Sequence, residues 1–415
     1  MTGPGDDRWG PVPELSGHRP PPGTPLLGGE FHSPVMALRE NAVLHNVSTM
    51  AQYCRDRGVE LAPHGKTTMS PELFRLQIEA GAWGITAATG AHVRTYRRFG
   101  VSRIFLANEL VDPVAIRFVA SELATDPEFE LICYVDSADG VDILETELAA
   151  RGGDSVRLDV VVELGVPGGR TGCRSGDEAL AVARRVAEAA HLRLRGVSGY
   201  EGAVGGDRSE QNVAAVTAYC AEIRGTAERM AAEGLLSSER PAVVSAGGSL
   251  LYDLVADSLA GTQLAGRPAQ VLLRSGAYVT HDHGMYQRTS PFEQPGSAYR
   301  FEPALQLWGR VLSRPEPELA VADFGRRDAP FDQGYPIPLE TRAADGTGGE
   351  PATDLTVTQL NDQHAFVRVP ADRRLAPGSW LGCGISHPCT AFDKWRAMPV
   401  VDDEGTVVGG IETHF

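Results

Sequence analysis

Residues 59–81 read VELAPHGKTTMSPELFRLQIEAG. The first six, VELAPH (59–64), are a short, apolar, β-prone run. A polar turn holding Lys66 follows. SPELFRLQIEAG then places Ser70 as N-cap, Pro71 at the first helical position and Gly81 just past the end. This strand–loop–helix unit recurs down the chain from about residue 33 to 280. The further strand candidates are WGITAA (83–88), RIFLAN (103–108), LICYVD (around 130–135), RLDVVVEL (157–164), LRGVSGY (194–200), AVVSAG (242–247) and QVLLRSG (270–276). Between them, stretches such as SGDEALAVARRVAEAAH place apolar residues at helical spacing. Eight such units predict an α/β fold of the (β/α)8 barrel type, with an open doubly wound sheet as the alternative.

Beyond residue 300 the helical spacing fades. ALQLWGRVLSR, LAVADFG, LTVTQLNDQHAFVRV, SWLGCGISH and VVGGIETHF are β-like, and AADGTGGEPAT (343–353) reads as an exposed loop among them. The expected organisation is an extended or partly disordered segment over 1–30, a barrel over 31–290 and a mostly β domain over 291–415.

The chain has 415 residues, 42% hydrophobic content and a formal net charge of −16. It lacks a run of about 18 apolar residues and a Lys/Arg-rich block, so neither a membrane nor a nucleic acid is expected as partner. Six scattered cysteines, with no CxxC pair and no secretion signal, suggest reduced thiols and a cytoplasmic protein.

Of the 38 basic residues only Lys66 and Lys394 are lysines. Arginine carries charge and solubility equally well, but it lacks the amine that links covalently to a carbonyl. In a barrel, chemistry gathers at the C-terminal ends of the strands, and Lys66 lies just past the first. Asn108, Glu163, Arg170 and Tyr200 fall at the ends of later strands. Gly247, Gly248 and Ser249 follow the seventh, and Gly276, Ala277 and Tyr278 the eighth, where barrels commonly hold a phosphate. An amine and a phosphate site on one rim suggest pyridoxal phosphate as cofactor and an amino acid as substrate. A sugar-phosphate aldolase needs the same two parts. His64, two residues before the lysine, is either a pocket residue or a hydrogen-bonded structural histidine.

The motifs PHGKTTMSP, GAWGITAATGAHV, RIFLANELV and GYEGAVG resemble the fold-type III pyridoxal phosphate enzymes, the alanine-racemase-like group. CGISHPCTAFDKW resembles the D-serine dehydratase / D-threonine aldolase branch, amino acid deaminases in particular. The resemblance runs from about residue 30 to 415. It implies a barrel plus a C-terminal β domain, in a homodimer. It assigns the cofactor-linking lysine to Lys66, an arginine near the ring to Arg170, a tyrosine to Tyr200, and phosphate loops to Gly247–Ser249 and Gly276–Tyr278. Gly165 stands where many members carry Asp. The dehydratases' metal pair falls on His387 and Cys389, a donor set suited to Zn²⁺ over Mn²⁺ or another divalent ion.

On that resemblance the expected activity is a lyase converting a 3-hydroxy-D-amino acid, such as D-serine or D-threo-3-hydroxyaspartate, to a 2-keto acid and ammonia. A metal would assist departure of the hydroxyl. The alternative is a D-threonine-type aldolase yielding glycine and an aldehyde. A cofactor-binding regulatory protein without turnover is disfavoured by the β domain. His387 and Cys389, two residues apart around Pro388, are expected on an extended segment that aims both to one side. THDH (280–283) offers a rival pair, His281 and His283, but reads better as a polar loop. Lys394 reads as an ion-pair partner near Asp393.

Overall fold

A computed structural model of the chain describes residues 8–14, 19–151 and 156–415. By its contacts the chain divides into two compact units, one of residues 50–66 and 77–276, the other of the remaining described residues.

The first unit is built on eight parallel strands. Their order is Glu60–Leu61, Gln270–Leu273, Val243–Ala246, Leu192–Gly199, Leu158–Leu164, Glu130–Val135, Arg103–Glu109 and Ile85–Ala87. The two ends of this order meet. His64 bridges Thr86, the Trp83 amide donates to the Leu61 carbonyl (2.7 Å), and the Thr86 amide donates to that of Pro63 (2.8 Å). The sheet is therefore a closed barrel, and all eight predicted strands are its staves.

Inward-facing side chains, among them Ala62, Phe105, Ile132, Tyr134, Val161, Val243 and Leu272, pack as one apolar cluster. At the N-terminal ends of the strands, Arg195 reaches Glu130 (2.8 Å) and Asp159 (2.6 Å), while Arg193 also bonds Asp159 (2.6 Å). Charges buried at that end read as structural. Some of the helices carry side-chain caps: Ser175 accepts from the Glu178 amide at the start of Gly176–Ala187, and Asp112 from the Val114 and Ala115 amides at the start of Pro113–Thr125.

The second unit holds a ten-stranded sheet. Its main path runs Glu350–Pro351, Ile337–Arg342, Trp380–Gly384, Leu305–Glu316, Val35–Arg39, Ala397–Val401 and Val407–Glu412. Three further strands, Leu319–Ala322, Ala365–Arg368 and Thr356–Leu360, hang off Leu305–Glu316. Val12, Leu26, Phe31, Val35, Trp308, Trp380 and Val407 are among its core.

Residues 31–49 and 277–290, expected within the barrel, group with this β-rich unit. Val35–Arg39 pairs antiparallel with Leu305–Glu316 and parallel with Ala397–Val401. A short apolar strand carries no mark of which sheet it joins, so only its distant partners assign it. In the N-terminal segment, Gly10 bridges Gly410 and Pro25 bridges Thr406, and Trp9, Val12 and Leu26 are buried. Residues 1–7 and 15–18 of the segment expected to be extended lie outside the described residues.

Candidate active site

Lys66 occupies the 3-10 turn Gly65–Thr67 just past the first barrel strand. It is exposed, while Ala62, Pro63, Gly65 and the four residues after it are buried. The turn needs its glycine: a Cβ at Gly65 would lie 2.7 Å from both Ile85 Cγ2 and Tyr96 Oη. Two histidines face this corner. Burial, reinforced first by the Lys66 charge, holds His64 well below the usual imidazole range, and its Nδ1 has no hydrogen-bond partner. His92, stacked on Tyr96 at 5.9 Å between ring centroids, is lowered by burial and then by Lys66. Both rings are therefore neutral near pH 7 and leave the positive charge to the amine.

The loops after the seventh and eighth strands are tied together. Ser275 Oγ donates to the Gly248 carbonyl (2.6 Å), and the Gly276 amide donates to Ser249 Oγ (3.3 Å). The helix that follows, Tyr252–Leu259, starts without a side-chain cap. Amides at such a terminus favour an anion. Both glycines are required by close neighbours. A Cβ on Gly247 would meet Arg274 Nε at 2.6 Å, and one on Gly248 would meet Glu201 Oε1 at 2.3 Å. Ala277 and Tyr278 form the next 3-10 turn, buried, at the start of the β-rich unit's last segment.

Arg170 lies in the loop after Leu158–Leu164. That loop folds back through Cys173, whose amide donates to the Glu163 carbonyl and whose carbonyl accepts from the Gly165 amide, each at 2.8 Å. Arg170 thereby comes over the Tyr200 ring, 4.5 Å from its centroid. Gly165 is dictated by the fold, since a Cβ there would be 2.2 Å from the Thr171 carbonyl oxygen.

Three residues, Arg274, Glu201 and Glu109, were not singled out by the sequence as site residues. Arg274, 1% exposed, donates to Ser198 Oγ (2.8 Å), to Ser245 Oγ and to the Gly199 carbonyl (2.6 Å), while its Nε has no partner. It is a buried cation held by neutral acceptors. Glu201, also 1% exposed, presses against Gly248. Glu109 and Glu163 end adjacent regions of the rim and contact each other. Burial, then the Glu163 charge, drives Glu109 up to about 8, so Glu109 holds its proton near neutral pH.

The Glu109–Glu163 pair has a consequence for stability. A carboxyl whose folded pKa lies above its unfolded value of 4.5 opposes folding increasingly as pH rises from that value through the folded one. Glu109→Gln removes the second charge and keeps a donor for Glu163. The variant is expected to raise Tm at pH 8 and to change it little at pH 5. An equal shift at both pH values in thermal unfolding would show that Glu109 is not held protonated.

In the β-rich unit, His387 and Cys389 are neighbours in space. Pro388, with φ −66 and ψ −40, caps the short helix Cys389–Phe392, so the segment turns instead of extending as expected. Proline's fixed φ suits the first turn of a helix as well as a strand. His387 Nδ1 meets Asp332 Oδ2 at 2.6 Å, and Thr390 Oγ1 donates to Asp332 Oδ1 (2.7 Å). Burial disfavours the charged imidazole, but Cys389 and then Asp332 lift His387 to about 9. Cys389 Sγ lies 3.5 Å from Oγ1 of Thr67, the residue after Lys66 in the chain. Among the described residues no cluster of three or more His, Cys, Asp or Glu is arranged to hold a metal.

The rival THDH segment is a polar loop, and a buried one. Thr280, His281 and Asp282 are almost inaccessible, and Asp282 accepts from the Gly284 and Tyr286 amides at 2.7 and 2.9 Å. Of its side chains, Asp282 serves the turn into Met285–Thr289, while Thr280 Oγ1, His281 Nε2 and His283 Nδ1 are buried without a hydrogen-bond partner. Lys394 pairs with Asp393 at 3.9 Å.

The fold, with its lysine after the first stave, defines the class: an alanine-racemase-like enzyme of fold type III. Residues 38–256, more than half of the chain, match the alanine racemase N-terminal domain, and the chain belongs to that family. Residues 304–401 match a putative serine dehydratase domain. The chain is 26% identical to a D-threonine aldolase of an Arthrobacter species over 92% of each chain. It is 26% identical to a 3-hydroxy-D-aspartate aldolase of Paracoccus denitrificans over 78% of this chain and 81% of that one. Among solved structures, D-threonine aldolase from Filomicrobium marinum superposes with a TM-score of 0.78 at 23% identity, covering 95% of this chain and 97% of that one. D-threo-3-hydroxyaspartate dehydratase from Delftia sp. HT23 gives 0.71 at 20% identity, covering 94% and 99%.

Proposed function

We propose that this protein is a pyridoxal phosphate- and metal-dependent lyase that converts a 3-hydroxy-D-amino acid, such as D-serine or D-threo-3-hydroxyaspartate, to a 2-keto acid and ammonia. The observation that carries the dehydratase reading is the His387–Cys389 pair with Asp332 on the imidazole. A carboxylate on Nδ1 fixes the tautomer and leaves Nε2 to bind a cation.

The residues fit the cofactor. The glycine loop admits no Cβ, the helix beyond it starts uncapped, and Lys66 is an exposed amine in a buried turn. Bound pyridoxal phosphate supplies an electron sink for negative charge at the substrate's Cα. Lys66 would hold the cofactor covalently and, once released, take the α-proton. His64 stays neutral beside it. The amides of Gly247, Gly248, Ser249, Gly276, Ala277 and Tyr278 would hold the phosphate. Arg170, stacked on Tyr200, and the buried Arg274 supply positive charge that keeps a ring nitrogen unprotonated.

The residues also fit a metal as a two-ligand site. Nε2 of His387 and the Cys389 thiolate suit Zn²⁺ better than Mn²⁺, and two protein ligands leave positions open. Such an ion supplies a Lewis acid for departure of the substrate's β-oxygen. The six free thiols support a reducing, cytoplasmic setting, and the family resemblance supports a homodimer.

A second reading is favoured by the sequence relatives, which are aldolases. Product analysis separates the two. Purified protein with pyridoxal phosphate and Zn²⁺ is offered D-serine, D-threonine and D-threo-3-hydroxyaspartate. Keto acid with stoichiometric ammonia is the expected result. Glycine with an aldehyde would replace the dehydratase by an aldolase.

A further inference from the structure

Glu201 has no part in the chemistry above, yet it occupies a demanding position. It opens the 3-10 turn Glu201–Ala203, is 1% exposed, and lies so close to Gly248 that a Cβ there would be 2.3 Å from its Oε1. Its Oε2 is buried without a hydrogen-bond partner. An ionised carboxylate against the backbone of an anion-binding loop would repel the anion it is meant to hold. Acid and anion coexist only if the acid keeps its proton and donates it.

We propose that Glu201 is part of the phosphate site, binding as a neutral carboxylic acid whose O–H donates to a phosphate oxygen of the cofactor. This rests on the reading of Gly247–Ser249 as the phosphate loop. A charge-assisted O–H to phosphate bond is short and strong, and it makes cofactor affinity depend on a single proton.

The surroundings allow that dependence to be read cleanly. Burial lifts Glu201 to about 7, against its own backbone amide and Arg274, and Asp253 adds to the rise. Asp253, on the helix after the loop, accepts two bonds from Arg208. Tyr200 beside it, and Tyr219 and Cys220 on helix Glu210–Ala232, are pushed upward by burial and stay neutral between pH 7 and 9. Arg208 is raised further above the usual guanidinium range by its bonds to Asp253. The phosphate ester is already a dianion above its second ionisation at about pH 6. Glu201 is thus the group beside the loop that changes charge in this window.

The test compares two aldehydes, pyridoxal phosphate and pyridoxal, which lacks the phosphate. Their Kd values are measured by absorbance on cofactor-stripped full-length protein, wild type and E201Q, from pH 7 to 9. The ratio of the two constants cancels the Lys66 linkage, common to both. The phosphate's advantage is expected to fall by about tenfold or more across this range in the wild type. In E201Q, which keeps an N–H donor, it is expected to stay level. A wild-type ratio that does not change, or one that falls equally in E201Q, overturns the role of Glu201 and leaves the cofactor reading intact. Failure of the wild type to bind either aldehyde overturns both. If E201Q does not fold, the wild-type ratio decides alone.

Discussion

Lys66→Ala is expected to fold normally and to retain no covalently held cofactor. Borohydride reduction of the wild type with pyridoxal phosphate should fix one cofactor on the peptide containing Lys66. The variant should fix none, and turnover should fall by about 10³-fold or more, since in the proposed reaction one residue would supply both the link and the base. Lys66→Arg should fail in the same way. It preserves the charge facing His64 and His92 but not the nucleophilic amine. Lys394→Ala is the control. Its ammonium pairs with Asp393, and its loss should leave labelling unchanged. Cofactor fixed at Lys394 in the Lys66→Ala variant would overturn the assignment.

Removing the metal pair should act on a different quantity. Cys389→Ala takes away the soft donor, and Asp332→Ala takes away the carboxylate that aims His387. Loss of such an outer carboxylate typically weakens metal affinity by about 10–100-fold. Zinc content after dialysis should therefore fall in both variants, more in Cys389→Ala. Borohydride labelling at Lys66 should persist in both. If ammonia release survives in Cys389→Ala without added metal, the Lewis-acid role is wrong. The two experiments separate the covalent and the metal-dependent halves of the proposed reaction.

Most of the barrel could be read from the chain because parallel strands buried on both faces are continuous apolar runs, each closed by a turn signal. Lys66 stood out by composition alone. What escaped the reading was held in long-range pairing. Asp332 meets His387 across 55 positions, and no local pattern joins them. Glu109 is driven upward by Glu163 only because strand order brings their ends together. Arg274 follows an unremarkable apolar strand, and its burial among hydroxyls appears only once Ser198 and Ser245 surround it. The turn at Pro388 was misread for a local reason. One φ value serves both strand and helix, and ψ is set by the packing.

The cysteines carry a last implication, in redox terms. Five of the six are buried, and burial lifts Cys54, Cys173 and Cys220 to about 12 and Cys133 and Cys383 further still. Such thiols are inert to peroxide near neutral pH, because the thiolate is the reacting form. Cys389 alone is partly accessible, and it is the proposed soft ligand. An ion bound as proposed would therefore shield the one sulfur open to oxidation. Sulfenic acid formation on the metal-free chain would in turn remove the donor that a returning ion needs, so metal starvation and oxidative stress would inactivate this protein through one atom.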